Sequence, residues 1–273
     1  MRAYVQQATL TVPRGHDARI EPNAGQIRIA VVSTPRSGNT WLRGLLADSI
    51  GGHEIAVHSP REVPWDELPE RAVLQLHWSA SAPFEQLLTN HAFKVVTICR
   101  HPLDVLISIL HFSRFEPATA RWLDGAGGDE SALLSARPTD DAVVQYATSD
   151  RFQRLLALSV EWQRKADASV RYEDLVADPL ASISEVFADL RIDVGLEQIV
   201  DAIGARRFER MRPTAPNQHF WRGQADVWRG LLPLSSVDRM RPSLDPALTG
   251  LGYIVDPDVN LGAAEANLSW ASM

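Results

Sequence analysis

The sequence predicts an α/β fold, a single domain in which helices flank a central parallel β-sheet. Short apolar runs of strand length alternate along the chain with segments of helical periodicity, an order typical of parallel sheets. The chain has 273 residues, of which 45% are hydrophobic, and is therefore long enough to bury the core of one large domain.

The first predicted elements lie in the run IRIAVVSTPRSGNTW, from Ile27 to Trp41. Residues Ile29 to Val32 have the composition of a buried strand, and Pro35 and Gly38 favour a turn. Helical spacing follows in Trp41, Leu42, Leu45 and Leu46. Because free N–H groups and the positive end of the helix dipole attract anions, we expect this strand–loop–helix to cradle a phosphate.

Two further strands are predicted, VLQLHW from Val73 to Trp78 and KVVTIC from Lys94 to Cys99. The second of these is apolar enough for a central position. A helix follows it, with Pro102 at its first position and Asp104 in its first turn.

The rest of the sequence predicts one long loop, the excursion, followed by further alternation of helices and strands. Residues Glu116 to Asp141 are rich in glycine and acidic residues, which indicates a loop around a short helix that covers a substrate site. A helix over about 151–165, a short strand that ends near Tyr172 and helical segments to about Ala205 follow.

Ligands of open parallel sheets bind beyond the carboxyl ends of the strands. The residues at the predicted strand ends are Arg36, His77, Arg100 and Tyr172. We therefore expect these four residues to share one site.

Composition narrows the classes of function. The net charge of −7 argues against broad binding of nucleic acid or anionic membranes. Cys99 is the only cysteine, which excludes an internal disulfide and a cysteine-rich metal site. No apolar run approaches the length of a membrane span, so we expect a cytoplasmic protein without a transmembrane segment.

Five motifs carry a specific resemblance: TPRSGNTW, LQLHW, CRHPLDVLISILHF, VRYEDL and FWRGQADVW. They occur in the order and approximate spacing of the sulfotransferase family, which the chain resembles from about Ile27 to Arg229. The resemblance implies a fold similar to the P-loop-containing nucleoside triphosphate hydrolases. It also implies 3′-phosphoadenosine 5′-phosphosulfate (PAPS) as cosubstrate, with no metal. Residues 1–26 are then an N-terminal arm, 27–255 the sulfotransferase domain and 256–273 a C-terminal tail.

The resemblance implies how the cosubstrate is held. The residues that would contact the 5′-phosphosulfate are Arg36, Ser37, Gly38, Asn39 and Thr40. Those that would surround the adenine are Trp41, Tyr172 and Phe208. Those that would bind the 3′-phosphate or wall it in are Arg100, Ser108, Arg222 and Gly223. An arginine fork and a hydroxyl are donors suited to a dianionic phosphate.

By the same resemblance, His77 is the catalytic base and Arg36 stabilises the leaving phosphate oxygen. An imidazole titrates close to physiological pH, where general-base catalysis is most efficient. The chain departs from the family at two places. Gln75 stands where many relatives carry a lysine, and Trp221 stands where animal cytosolic relatives carry a second cation.

The function predicted is sulfuryl transfer to a hydroxyl, or an amine, of a small-molecule, glycoside or natural-product acceptor. The pocket for this acceptor is expected from residues 53–65, the residues after His77 and the excursion 116–141. Two alternatives stay open. One is an ATP-dependent small-molecule kinase, against which the missing GK[ST] sequence counts. The other is a noncatalytic nucleotide-binding protein.

Overall fold

The computed structural model describes residues 25–115, 130–211 and 223–273. Its centre is a parallel five-stranded sheet with the strand order β2-β3-β1-β4-β5. The strands are β1 Ile27–Val32, β2 His53–Ala56, β3 Arg71–Leu76, β4 Phe93–Cys99 and β5 Ala168–Arg171. The predicted α/β class, with one domain around a parallel sheet, is confirmed.

Helices account for much of the remaining described chain. They are α1 Asn39–Ile50, α2 Ala82–Asn90, α3 Pro102–Phe115, α4 Asp141–Ala147, α5 Asp150–Trp162, α6 Tyr172–Ala177, α7 Pro179–Asp189, α8 Leu196–Ala205, α9 Phe208–Met211, α10 Leu234–Leu251 and α11 Ala263–Ala271. Short 3-10 turns cover Pro60–Glu62, Trp65–Glu67, Ser131–Leu133 and Val227–Gly230.

Strand β1 is central because both of its faces are covered. Ile29 and Val31 pack into one hydrophobic cluster with α1, α6, α7 and α8. Ala30 and Val32 pack into a second cluster with α2 and α5. Two covered faces explain why the strand is a continuous apolar run rather than an alternating one.

The observed bounds agree with the predicted elements to within a few residues. Strand β3 ends at Leu76, so His77 stands immediately beyond it, at the carboxyl edge of the sheet. Strand β2 was not predicted, because its four residues are mostly exposed and have no apolar alternation. Its place at the sheet edge comes from parallel pairing with β3, His53 opposite Ala72.

The C-terminal segment differs from the predicted tail. Residues 256–273 contain α11, in which Trp270 is only 3% exposed. The indole belongs to the hydrophobic cluster built by α3, α4, α5 and α10. This last helix is therefore part of the packed core.

Two predicted segments fall largely outside the described residues. These are the arm at 1–26 and the excursion at 116–141, of which the structure describes 25–26 and 130–141. No helix in the described ranges combines the length and the apolar character needed to cross a lipid bilayer.

Candidate functional site

The loop between β1 and α1, residues 33–38, is held by its own side chains and by α5. The Asn39 amide donates to the Thr34 carbonyl at 2.9 Å, and its oxygen pairs with the Ser33 hydroxyl. The Thr34 amide donates to Ser159 Oγ at 2.9 Å, and the Thr34 hydroxyl donates to the Leu155 carbonyl at 2.7 Å. The side chain of Asn39 thus supports the loop through both its nitrogen and its oxygen.

Two residues of this loop have left-handed backbone conformations, Arg36 with φ 67° and Gly38 with φ 103°. A Cβ at Gly38 would stand 2.6 Å from Cδ2 of Tyr172, so this position has no space for a side chain. A left-handed arginine is uncommon and has a conformational cost. The contacts of the Arg36 side chain with Ser108 and Phe112 offset this cost and fix the direction of the side chain.

The Ser37 hydroxyl is buried in the same loop. It has no hydrogen-bond partner among the residues that the structure describes. Because buried polar atoms are nearly always paired in folded proteins, this oxygen is suited to contact a polar ligand. Thr40, the second residue of α1, lies three positions further on.

Arg36 and Arg100 approach each other at the ends of β1 and β4. Arg36 Nε donates to Ser108 Oγ at 3.2 Å, and its guanidinium stacks 4.3 Å from the Phe112 ring centre. Arg100 Nη1 donates to the Arg36 carbonyl at 3.2 Å, and the Arg100 guanidinium stacks 4.2 Å from the Tyr172 ring centre. Burial and then the charge of Arg100 lower the pKa of Arg36 to about 10. Two neighbouring cations in a shielded site favour an anion.

The contact between Arg36 and Ser108 joins residues that the sequence analysis assigned to two separate parts of the ligand. Arg36 was expected at the 5′-phosphosulfate, and Ser108 with Arg100 at the 3′-phosphate. Here Arg36 reaches Ser108 directly. The two expected phosphate sites thus adjoin in one basic cluster.

His77 lies beside the loop. Its Nδ1 is 2.8 Å from the Ser33 carbonyl oxygen, which can only accept a hydrogen bond. Nδ1 therefore carries the proton, and the basic lone pair lies on Nε2. This is the tautomer in which Nε2 can accept a proton from a substrate.

Gln75, two residues before His77, has a partner that the sequence did not reveal. Its Oε1 accepts from Arg43 Nη1 at 2.7 Å, and Arg43 Nε also pairs with Glu54 at 2.8 Å. A cation from α1 thus reaches the position where many relatives carry a lysine. No local pattern pointed to Arg43, because its partners lie on β2 and β3.

Two of the three aromatic residues expected around the adenine lie near one another. Trp41 and Tyr172 are in edge contact with ring centroids 6.5 Å apart, and Trp41 Nε1 donates to the Arg206 carbonyl at 3.0 Å. Phe208 is the first residue of α9, two positions after Arg206. The Arg206 guanidinium is held by carboxylates of Asp48 and Glu54, both at 2.6 Å. Its charge is therefore neutralised within the protein.

The last predicted cosubstrate motif is described only from Gly223 onward; Arg222 lies outside the described residues. Gly223 has φ 63°, and the carbonyl of Gln224 accepts from Arg100 Nη2 at 3.1 Å. The buried carboxylate of Asp104 accepts from the backbone amides of Asp226 at 2.8 Å and Trp228 at 3.0 Å. The sequence placed Asp104 correctly in the first turn of α3 but did not reveal this contact.

The described residues contain no cluster of candidate metal ligands, and their one cysteine is buried. Among the residues that the structure describes, no three His, Cys, Asp or Glu side chains form a group that could hold a metal ion. Burial raises the pKa of the Cys99 thiol to about 12, so it is not a ready nucleophile.

The chain was compared with protein families, with curated sequences and with solved structures. The family model of the sulfotransferase domain matches residues 26–230. The chain matches no curated protein sequence. Among solved structures, it is similar to the mouse sulfotransferase SULT7A1 complexed with PAP, with 18% identity and a TM-score of 0.63 over 84% of this chain and 88% of that one.

A second similar structure is retinol dehydratase in complex with androsterone and the inactive cofactor PAP. It has 16% identity and a TM-score of 0.56 over 83% of this chain and 82% of that one. A further structure of retinol dehydratase, with retinol and PAP, has 13% identity and a TM-score of 0.54 over 87% and 85% of the two chains. At these identities the likeness concerns the fold.

Proposed function

The chain belongs to the sulfotransferase domain family, and on that premise we propose that it transfers the sulfuryl group of PAPS to a hydroxyl of a small-molecule acceptor. One observation carries the proposal. An oriented His77, two adjacent arginines and a Ser37 hydroxyl that has no partner among the described residues all lie beyond the ends of β1, β3 and β4.

The charges of this cluster favour an anionic cosubstrate. Burying Arg36, and placing it beside Arg100, disfavours its charged form and lowers its pKa. A bound phosphate offsets that cost, because each guanidinium binds phosphate oxygens more strongly in a shielded site than in water. The N-terminus of α1 adds backbone donors at the same place.

The residues present fit PAPS, which when bound supplies the sulfuryl group. Those assigned to its 5′-phosphosulfate are Arg36, Ser37, Gly38, Thr40 and the backbone of Asn39. Those assigned to its adenine are Trp41, Tyr172 and Phe208. Those assigned to its 3′-phosphate are Arg100, Ser108, Arg222 and Gly223. The PAP found in the similar structures supports PAPS as the cosubstrate.

His77 acts as the general base in this proposal. Its Nδ1–H bond to the Ser33 carbonyl fixes the ring, and Nε2 takes the proton of the acceptor hydroxyl. The same hydrogen bond stabilises the imidazolium that results. Arg36, within the loop, stabilises the negative charge that develops on the phosphate side.

A small molecule is the acceptor class that the related structures favour, since retinol dehydratase was solved with androsterone and with retinol. Aromatic and apolar side chains near the loop are consistent with such an acceptor. Phe112 faces Arg36, and Trp78 follows His77 directly.

Thermal-shift measurements with two nucleotides test the proposal. We expect strong stabilisation by adenosine 3′,5′-bisphosphate (PAP) and little by ATP with magnesium, since binding to the folded state raises its stability with ligand concentration. The opposite pattern would support the kinase alternative and overturn the proposal.

The His77→Ala variant tests the role of the base in the same preparation. We expect it to abolish sulfate transfer from PAPS to a panel of hydroxyl compounds and to preserve PAP binding. The control is Lys94→Ala, an exposed side chain near the start of β4 and outside the expected acceptor pocket, which should keep both sulfate transfer and PAP binding. Loss of PAP binding in His77→Ala would show a structural role instead.

A further inference from the structure

The segment of residues 223–228 lies against the first turn of α3 and is held there by one carboxylate. Asp104 is 1% exposed. Its Oδ2 accepts from the Asp226 amide at 2.8 Å, and its Oδ1 accepts from the Trp228 amide at 3.0 Å. Both oxygens of a buried charge are thus used on the backbone of a single segment.

The conformation of this segment depends on such support. Gly223 and Asp226 both have left-handed backbones, with φ 63° and φ 58°. A left-handed aspartate is uncommon and is retained only where its surroundings determine it. Trp228 closes the segment as a fully buried ring, stacked on His101 with centroids 5.0 Å apart.

The same segment also contacts Arg100. Arg100 Nη2 donates to the Gln224 carbonyl at 3.1 Å, and Nη1 donates to the Arg36 carbonyl at 3.2 Å. Asp104 stands one helical turn after Arg100, with Oδ2 3.9 Å from its Nε. Asp104 therefore contacts both the segment and the arginine that joins the segment to the phosphate loop.

We propose that Asp104 is a positioning residue for the ribose 3′-phosphate. It holds the 223–228 segment and Arg100 in one arrangement, so that the donors at this end of the site close on a phosphate. The inference rests on the proposed function, which assigns Arg100 and Gly223 to that phosphate. It makes Asp104 responsible for discrimination between PAP and adenosine 5′-monophosphate (AMP), which lacks the 3′-phosphate.

Glu173 provides a matched control. It is a half-buried carboxylate in the same region, but it accepts from the His101 amide at 2.9 Å and from the Tyr253 hydroxyl at 2.6 Å. Glu173→Gln removes a negative charge that contacts the backbone of His101, the residue after Arg100, and leaves the amides of the 223–228 segment with their acceptor. This variant therefore separates the effect of losing a carboxylate charge from the effect of displacing the 223–228 segment.

The test is the ratio of the dissociation constants of AMP and PAP, measured by calorimetry. In Asp104→Asn an amide N–H faces one of the backbone donors. We expect PAP to bind about tenfold or more weakly, since a hydrogen bond to a charged group is lost, whereas AMP affinity stays within about twofold. Glu173→Gln should keep the ratio of the unmodified protein.

A second variant keeps the test decisive if Asp104→Asn does not fold. Asp104→Glu retains the charge and displaces the carboxylate by one methylene, and it should also reduce the AMP-to-PAP ratio. Equal weakening of both nucleotides, an unchanged ratio, or the same selective loss in Glu173→Gln overturns the inference. An unmodified protein that binds neither nucleotide overturns the proposed function instead.

Discussion

At the scale of single residues, Arg36 is the position where backbone and charge are both unfavourable. Its φ of 67° is left-handed, and its pKa is lowered to about 10 by burial and by Arg100. Such features concentrate at functional sites, because a bound ligand compensates for them. That Arg36 faces an anion stays a prediction from the sequence.

Arg36→Ala should slow sulfate transfer more than it weakens PAP binding. A cation beside the transferring group stabilises charge that is larger in the transition state than in the ground state. We expect kcat to fall about 100-fold and PAP affinity to fall about tenfold or less, as checked by steady-state kinetics and calorimetry.

The control for this variant is Arg71→Ala. Arg71 is the first residue of β3, at the opposite edge of the sheet, where its Nη1 donates to the Ile50 carbonyl at 3.0 Å. Arg71→Ala should leave kcat and PAP affinity nearly unchanged. Equal losses of kcat and PAP affinity in Arg36→Ala would reduce Arg36 to a simple phosphate contact.

At the scale of elements, local sequence predicts the turn between β1 and α1, whereas a side chain distant in the sequence limits the space around that turn. Pro35 and Gly38 predicted the turn correctly. The need for glycine at position 38 comes from Tyr172, whose ring fills the space that a Cβ would occupy. That requirement was not visible in the motif alone.

Gly38→Ala and Gly51→Ala form a matched pair. Both glycines flank α1 with positive φ, but a Cβ at Gly51 meets no atom within 4 Å. We expect Gly51→Ala to cost about 1 kcal/mol of unfolding free energy through backbone strain. Gly38→Ala should cost about 1–3 kcal/mol more and weaken PAP binding, because the loop or the Tyr172 ring must shift.

Urea denaturation and PAP titration measure the two effects. Similar costs for the two glycines would show that Tyr172 moves aside without consequence for the loop. That result would contradict the view that the ring of Tyr172 holds the loop in place.

At the scale of the whole molecule, α11 completes the hydrophobic cluster around α3. Trp270 packs against His111 with ring centroids 6.1 Å apart, and the Arg114 guanidinium lies 5.7 Å from its ring centre. Helix α3 also carries Ser108 and Phe112, which contact Arg36. Helix α11 thus packs against α3, the helix whose Ser108 and Phe112 contact Arg36.

Trp270→Ala should destabilise the protein by about 3–5 kcal/mol, the usual cost of a large-to-small change in a core. Leu268→Ala is the control on the same helix, since Leu268 is 72% exposed and should cost less than about 0.5 kcal/mol. Thermal and chemical denaturation compare the two. Equal small costs would mean that α11 does not pack in the core.

Much of the architecture was predictable because its causes are local. Continuous apolar runs marked β1, β3 and β4, turn residues marked the phosphate loop, and five ordered motifs indicated the sulfotransferase family. Strand β2 and helix α11 were missed for a common reason. Each depends on a partner elsewhere, on pairing with β3 in one case and on burial against α3 in the other.

The sequence by itself determined the alternation of most strands and helices, the family and the identities of the candidate site residues. Only the tertiary structure decided how those residues meet. Arg36 contacts Ser108 across 72 positions, and Asp104 holds the Asp226 amide across 122. Periodicity and turn chemistry act over a few residues, whereas these contacts exist only after the parallel strands have brought their carboxyl ends to one edge.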